Sequence, residues 1–366
     1  GMNMMKVPKD ILDDVKVIEP GSTFGFALTN SGDIEYWGQT DITRTIDLAD
    51  IPNDVKNANI VQLAVGTDHA VAVDDQGVVY AWGNNRLGQL DLPSDVGNRN
   101  IKQLDAGNQY TALLDEDGTL ILWGNDNAVD LKIKSDYQGR IAQVALAENS
   151  YICLLDDGSV AYTGFSSSSL LAKVPEGLDK DVVQVSATAY TAAALKSDGT
   201  VVIWGNTAKG EADVPEHDSK IVRLYAGRYH YVAECEDGSY ISWGDNIHGQ
   251  TKIPASLSDG TANIKYLTSG FYQNYAITEE NKLVTWGLKG YLCGTDELGR
   301  DVFTRIINGG KVTMTVGAVS VIISLLIGVS LGLMSGYFGG AVDMVIMRIS
   351  EVINALPFLP MAMILS

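Results

Sequence analysis

A Trp-Gly pair that returns about every 40 residues restricts the fold of this chain more than any other feature. The pair occurs at Trp37-Gly38, Trp82-Gly83, Trp123-Gly124, Trp204-Gly205, Trp243-Gly244 and Trp286-Gly287, and Thr163-Gly164 fills the one remaining place. Successive pairs are separated by 45, 41, 40, 41, 39 and 43 residues. Seven units of this length predict a repeat fold in which each unit is one supersecondary element.

Each unit contains a predicted tight turn six residues before the glycine of the pair. The turn position holds glycine in six units and Asn281 in the seventh, residue types that adopt positive φ. Short apolar stretches on both sides, such as 60–65, 69–73 and 78–82, predict β-strands. A further segment with a proline, as in Ile51-Pro52, predicts a fourth strand at a place where no backbone donor is needed.

The two ends of the repeat region complement each other. An extra proline segment, Lys6-Val7-Pro8, precedes the first unit, and the seventh unit has no such segment after Gly287. The N-terminal strand is therefore expected to complete the last unit. Residues 1–290 are predicted to form an all-β domain, a seven-bladed β-propeller closed by an N-terminal strand.

The repeat pattern also identifies a family. Gly66-x-x-His69, Asp75-Gln76-Gly77 and the run from Ala81 to Leu90 resemble the regulator-of-chromosome-condensation repeat, over about residues 4–290. That family includes a eukaryotic chromatin-bound exchange factor and bacterial propellers that inhibit β-lactamases, so the resemblance implies a protein partner. A chromatin role is not expected here, because 45 acidic against 26 basic residues disfavour nucleic acid as a partner.

A partner-binding face is predicted at one end of the propeller. In a meander of strands, the loops after the first strand and after Trp-Gly emerge together. These loops carry aromatic and arginine side chains, the types enriched at binding hot spots. The predicted face consists of Tyr110, Tyr190, Arg228, Tyr229, Phe271 and Tyr272. The alternative for any single ring is packing between blades or at the axis.

The sequence predicts no enzyme, and neither a cofactor nor a metal is expected. The four histidines, His69, His217, His230 and His248, are dispersed, and no phosphate loop or nucleophile motif accompanies them. His69 and His230 occupy the same position of different repeats, which favours a structural hydrogen bond. An active site in the central channel is the remaining enzymatic alternative.

The last 76 residues, 291–366, differ from the repeats. Thirty-one consecutive uncharged residues between Lys311 and Asp343 predict an α-helical transmembrane segment. The stretch 294–305, with Gly336-Tyr337-Phe338-Gly339-Gly340 and Met347-Arg348, resembles the permease subunit of oligopeptide/dipeptide ABC importers. The resemblance implies part of a membrane pathway for peptides. The residues carried over from the conserved stretch before that family's second membrane helix are Gly294, Thr295, Asp296, Gly299, Arg300 and Asp301.

Three interpretations of this second domain stay open. The segment has no counterpart of the permease's first membrane helix or of the loop that docks the ATPase. It is either a membrane tether for a protein-binding propeller, a membrane subunit of a peptide importer that carries the propeller as an accessory domain, or a junction product. Membrane and ABC transporter subunits are possible partners in the first two cases. No signal peptide is expected at residues 1–8, and the compartment is left open.

Overall fold

A computed structural model describes residues 7–38, 47–165, 169–287 and 302–355. The chain forms two compact units, Gly1–Gly290 and Tyr291–Ser366. In the described residues, the first unit consists almost entirely of strands and loops, and the second consists of two helices.

The strands of the first unit form seven antiparallel sheets of three, each in chain order, here called blades 1 to 7. Blades 1 to 4 are β1 (Val15–Pro20), β2 (Phe24–Thr29), β3 (Ile34–Gly38); β4 (Ile60–Val65), β5 (His69–Asp74), β6 (Val79–Gly83); β7 (Ile101–Ala106), β8 (Tyr110–Asp115), β9 (Leu120–Gly124); and β10 (Ile141–Leu146), β11 (Tyr151–Leu155), β12 (Val160–Thr163). Blades 5 to 7 are β13 (Val182–Ala187), β14 (Thr191–Lys196), β15 (Val201–Gly205); β16 (Ile221–Ala226), β17 (His230–Cys235), β18 (Tyr240–Gly244); and β19 (Ile264–Ser269), β20 (Gln273–Thr278), β21 (Leu283–Gly287).

The turn between the second and third strands of each blade has the predicted geometry. Its glycine or Asn281 has a φ between 61° and 91° in every blade. In blade 2, Asp74 closes the turn, because its Oδ1 accepts hydrogen bonds from the backbone N–H groups of Gln76 (2.9 Å) and Val78 (2.8 Å). The acidic residues of these turns are therefore accounted for by turn formation.

The predicted fourth strand is wrong, because each described sheet has three strands. The proline segments lie outside the sheets, and two of them start one-turn helices, α1 (Asn53–Lys56) after Pro52 and α2 (Ala255–Ser258) after Pro254. Proline has a fixed φ and no N–H, which suits the start of a helix as well as an unpaired strand. The described chain also contains the 3-10 helices Lys9–Ile11 and Leu170–Ala172.

The seven blades close into a ring, so the predicted all-β propeller is confirmed. The first strands of neighbouring blades contact each other all the way round, including β19 against β1. The hydroxyl of Tyr266 in blade 7 accepts from the Ile18 N–H (2.8 Å) and donates to the Ile18 carbonyl (3.1 Å) in blade 1. The N-terminal segment joins this contact by apolar packing, since Val7 and Ile11 share a buried cluster with residues of blade 7. In the described residues 7–14 no strand precedes β1, and the contacts that these residues make to blade 7 are apolar side-chain contacts.

In blades 2, 3, 5 and 6, the tryptophan of the Trp-Gly pair joins the blade to the segment before it. The Trp82 Nε1–H donates to the Leu48 carbonyl over 3.1 Å, and Trp123, Trp204 and Trp243 make the equivalent bond. Gly83 has a φ of 108°, and a Cβ at this position would lie 2.5 Å from the carbonyl oxygen of Asp68. Glycine therefore allows the backbone to pass close to the loop before the second strand.

The second unit contains α3 (Val302–Phe338) and α4 (Gly340–Ala355) in its described part. The 37 residues of α3 correspond to a length of about 55 Å, more than the hydrocarbon core of a bilayer. Among the described residues, α3 is the one helix that is long and apolar enough to cross a membrane. Gly339 separates the two helices, and it and Gly340, the first residue of α4, have positive φ. The Ser335 hydroxyl donates to Asp343 Oδ1 across this junction. The predicted transmembrane-type helix is confirmed by length and composition.

Candidate partner-binding face

The loops after the first and third strands lie at the same end of the propeller. In blade 6, the N–H of Asp245, which follows Trp243-Gly244, donates to the Tyr229 carbonyl over 2.9 Å. In blade 5, the N–H of Asn206 makes the same bond to Tyr190. The sequence of a three-stranded meander places these loops together because each hairpin returns the chain to the end from which it started.

Two tyrosines of this end stack across neighbouring blades. The rings of Tyr190 and Tyr229 have centroids 6.1 Å apart and an interplanar angle of 26°. Tyr190 is 44% exposed. The Lys209 Nζ lies 3.5 Å from the centroid of the Tyr229 ring and 3.7 Å from Asp245 Oδ2. A cation over the ring face and a carboxylate beside it fix the position of this lysine.

Arg228 connects the stacked tyrosines to a second aromatic pair. Its Nε–H donates to the Tyr229 hydroxyl over 3.2 Å, and its guanidinium carbon lies 5.0 Å from the centroid of the Phe271 ring. The ring of Tyr272 is 6.2 Å from Phe271 and 4.5 Å from the imidazole of His248. Tyr190, Arg228, Tyr229, Phe271 and Tyr272 therefore form a continuous surface over blades 5 to 7, which we call the aromatic loop face.

Tyr110, the remaining residue of the predicted face, does not lie on it. Its side chain is fully buried, and its hydroxyl donates to the Ala147 and Ser150 carbonyls, both over 2.8 Å. Tyr110 is the first residue of its second strand, the position that His69 and His230 occupy in other blades. The repeat alignment that marked those histidines as structural was therefore a signal that would have excluded Tyr110 from the predicted face.

The two aligned histidines make structural hydrogen bonds, as the sequence predicts, and the structure shows that both bonds join neighbouring blades. His69 Nε2 is 2.9 Å from Thr111 Oγ1, and His230 Nε2 is 2.8 Å from Asn274 Oδ1, each in the following blade. Burial lowers the pKa of His230 to about 4, so its imidazole is neutral at pH 7. Within the described ranges, no three His, Cys, Asp or Glu side chains are grouped as a metal site requires.

A cavity of about 300 Å³ lies on the propeller axis at the same end. It is lined by the ends of the first strands and by the residues that follow them, among them Arg228 and Phe271 of the aromatic loop face. The acidic side chains in its lining are Glu19, Asp105 and Glu148. The sequence analysis did not identify them, although Glu19 and Asp105 share the fifth position of the first strand, and Glu148 and Arg228 share the second position after that strand.

The carboxyl groups of the axial cavity have unequal pKa values. Burial, and secondly the charge of Asp105, raise the pKa of Glu19 to about 8, against a hydrogen bond from the Val65 backbone that lowers it. Burial raises the pKa of Asp105 to about 6, against a hydrogen bond from the Ala106 backbone. At pH 7, Asp105 is mainly ionised and Glu19 mainly protonated.

Comparison with known proteins bears on each unit separately. Residues 60–89 and 182–211 match the family model of the regulator of chromosome condensation (RCC1) repeat. The chain carries RCC1-type repeats. Prp20p from Saccharomyces cerevisiae has a similar structure, with a TM-score of 0.53 and 17% identity over 78% of this chain and 85% of that one. At this identity the likeness concerns the fold alone.

The C-terminal unit matches peptide permeases. The dipeptide transport system permease protein DppC of Bacillus subtilis is 49% identical over 72 residues, or 20% of this chain and 22% of that protein. The DppC protein of Haemophilus influenzae is 44% identical over 71 residues, or 19% and 24%. The resemblance to this family is confirmed, and the chain spans about a quarter of the length of these relatives. The carried-over residues Gly294, Thr295, Asp296, Gly299, Arg300 and Asp301 lie outside the described residues.

Proposed function

We propose that the propeller is a non-enzymatic module that binds a protein partner through the aromatic loop face. The observation that carries this proposal is the continuous patch of Tyr190, Tyr229, Arg228 and Phe271, which is partly open to solvent at one end of a rigid ring. Tyrosine, phenylalanine and arginine side chains supply large contact area at low conformational cost. The Arg228–Tyr229 hydrogen bond, the stacked tyrosine rings and the contact of Arg228 with Phe271 hold these side chains in place before a partner arrives, which reduces the entropy lost on binding.

The comparison with Prp20p supports a protein partner. That yeast protein has been studied for its binding to Gsp1p and histones, and it shares the propeller fold with this chain. The chemistry of the aromatic loop face indicates what its partner must offer, namely a surface complementary to aromatic rings and one arginine. The acidic balance of the chain, 45 acidic against 26 basic residues, favours a protein over a nucleic acid.

The face can be tested by site-specific photo-crosslinking in the full chain. A benzophenone amino acid is placed at Tyr190 and, as a matched control, at Val78, which is 45% exposed on the opposite end. The proposal expects a discrete protein adduct from position 190 that is absent from position 78. The adduct is identified by mass spectrometry, produced separately and titrated against the wild-type chain.

The decisive step is the response of that titration to variants. Phe271→Ala and Tyr229→Ala should each weaken binding about tenfold or more. Val78→Ala should leave it unchanged. Unchanged affinity in both aromatic variants, with circular dichroism showing the same fold, would remove the aromatic loop face from the proposal.

We further propose that the C-terminal unit tethers the propeller to a membrane. Helix α3 supports this, because its exposed apolar length exceeds what a bilayer requires. The alternative is a membrane subunit, or a fragment of one, in a peptide ABC importer with the propeller as accessory domain. The sequence identity between this unit and the DppC proteins supports this alternative.

Membrane fractionation separates these two candidates. A tether predicts that the full chain sediments with membranes, is released by detergent and purifies alone. An importer subunit predicts that it purifies in stoichiometric complex with a second permease and an ATPase. Recovery of the full chain in the soluble fraction without detergent would contradict both.

A further inference from the structure

The axial cavity adjoins the aromatic loop face, because Arg228 and Phe271 belong to both. Its volume of about 300 Å³ corresponds to about ten water molecules, enough for one long side chain. Glycines in its lining let neighbouring blades approach each other closely. A Cβ at Gly66 would lie 2.5 Å from the Gly107 carbonyl oxygen, and one at Gly227 would lie 2.5 Å from the Gly270 carbonyl oxygen.

The cavity holds an excess of negative charge. Of its four ionisable side chains, Arg228 and Glu148 form an ion pair of 3.2 Å. In the part of the chain that the structure describes, no cationic side chain forms an ion pair with Glu19 or Asp105. Each of these carboxylates lines the axis from a different blade, Glu19 from β1 and Asp105 from β7.

A second polar group in the lining lacks a partner. The Ser269 hydroxyl oxygen is inaccessible to solvent and makes no hydrogen bond with the described residues. A buried hydroxyl without a partner costs free energy, so this side of the lining is strained while the hydroxyl stays covered. The lining thus presents the carboxyl groups of Glu19 and Asp105, and its one cation, Arg228, is already paired with Glu148.

These features define the chemistry of an occupant. The only cation of the lining is already engaged by Glu148, so an anionic group would meet uncompensated carboxylates. A lysine or arginine side chain would place its charge near two carboxylates and its methylene stem beside Phe271 at the mouth. This is charge complementarity between the cavity and one basic side chain.

We propose that the axial cavity receives a lysine or arginine side chain from the protein partner, with Glu19 and Asp105 compensating its charge. The proposal rests on the proposed function, because the partner is the one that covers the aromatic loop face. It adds that this partner inserts one basic residue along the propeller axis. Binding would also release protons, since a cation favours the ionised form of both carboxyl groups.

The cavity can be tested without the partner. The probes are Nα-acetyl-lysine methylamide and Nα-acetyl-arginine methylamide, titrated by calorimetry into the full chain in detergent. Their neutral counterparts, the norleucine and citrulline derivatives, serve as matched ligands. The two basic probes are expected to bind, and the neutral ones to bind at least about tenfold more weakly. Binding of a basic probe should release more protons at a starting pH where Glu19 and Asp105 are more fully protonated.

The matched protein variants are the double change Glu19→Gln and Asp105→Asn in the cavity, and Glu236→Gln with Asp237→Asn on the turns at the opposite end. The cavity variant should lose affinity for both basic probes about tenfold or more, and the turn variant should keep it. Equal binding of basic and neutral probes, or equal binding to both protein variants, would overturn the proposal. Competition by sodium ions as strong as by the lysine probe would also overturn it in favour of an inorganic cation.

Failure of the proposed function gives a different pattern. If Phe271→Ala and Tyr229→Ala leave partner affinity unchanged while the cavity variant loses the basic probes, the face is wrong and the cavity still binds a cation. If the aromatic variants lose the partner and the cavity variant binds it as the wild type does, the face stands and the inserted basic residue is wrong.

Discussion

Glu148 and Arg228, 80 residues apart in the chain, form an ion pair of 3.2 Å at the mouth of the axial cavity. Blade 5 lies between the blades that carry them. Its Ala189 links both, because it accepts from the Glu148 N–H and donates to the Arg228 carbonyl, each over 2.9 Å. The pair therefore connects two blades that are not neighbours, and it fixes the guanidinium group that holds the aromatic loop face together.

This ion pair should contribute measurably to stability. Its side chains are only 16% and 21% exposed, so the attraction is weakly screened. A double-mutant cycle with Glu148→Gln and Arg228→Gln, measured by urea unfolding, is expected to give a coupling free energy of about 1 to 2 kcal/mol.

The exposed pair between Arg140 and Asp157 provides the control for this cycle. It is shorter, 2.8 Å, but its side chains are 41% and 52% exposed. Its coupling free energy should be clearly smaller than that of the pair at the cavity mouth, because water and salt screen the exposed charges. Equal coupling in the two cycles would show that the pair at the cavity mouth is screened like a surface pair.

Stability should also depend on the carboxyl group of Glu19. Its pKa is about 8 in the folded chain, against 4.5 as a free group. Between pH 4.5 and pH 8, the folded state therefore retains a proton that the unfolded state has released. The free energy of unfolding therefore falls as pH rises from 4.5 towards 8. Glu19→Gln should remove this contribution and stabilise the propeller at pH 8 by on the order of 2 kcal/mol relative to wild type.

The measurement is the difference between the unfolding free energies of wild type and Glu19→Gln at several pH values. His230 acts in the opposite sense, because its pKa is lowered to about 4 and its stabilising effect is lost as pH falls. That contribution is common to both proteins and cancels in the difference. A difference that stays constant from pH 5 to pH 8 would contradict the raised pKa of Glu19.

The blades could be predicted from sequence because their signals are local. A glycine or Asn281 at positive φ recurs in every unit, six residues before the glycine of a Trp-Gly pair, which Thr163-Gly164 replaces in the fourth unit. The turn and the pair each have a steric cause. The proline segments were misinterpreted for a physical reason, since a missing N–H suits both an unpaired strand and the first turn of a helix such as α1. Local sequence does not separate these two outcomes.

The site was predicted in part. Tyr190, Arg228 and Tyr229 could be placed on one face because the loops of a meander emerge together. Glu19 and Asp105 could not be placed beside each other in this way, since they meet only when the seven first strands surround one axis. Aligning the first strands by register, and not by glycine positions alone, would have shown these acidic residues at equivalent places.

Tyr110 should be structural, with no part in partner binding. Tyr110→Phe retains the ring but removes the donor to the Ala147 and Ser150 carbonyls, which are buried. The expected cost is about 1 to 3 kcal/mol in the free energy of unfolding, with unchanged affinity for the partner captured at position 190. Tyr190→Phe is the matched control and should leave stability unchanged, because this ring is 44% exposed. If Tyr110→Phe binds the partner more weakly while its free energy of unfolding equals that of the wild type, Tyr110 takes part in partner binding and this prediction is wrong.

The propeller should survive removal of the C-terminal unit. Both sides of the ring-closing contact, Ile18 and Tyr266, belong to the first unit, as do Val7 and Ile11 in their shared cluster with blade 7. Limited proteolysis of the full chain in detergent is therefore expected to cut between residues 288 and 300. Intact mass should identify a soluble, monomeric fragment of residues 1 to about 290 with the same unfolding midpoint as the propeller in the full chain. The control digestion uses the chain without detergent. Protection of residues 288–300 in detergent, with no soluble fragment, would instead mean that the two units are integrated and would favour the importer-subunit alternative over a tethered binding module.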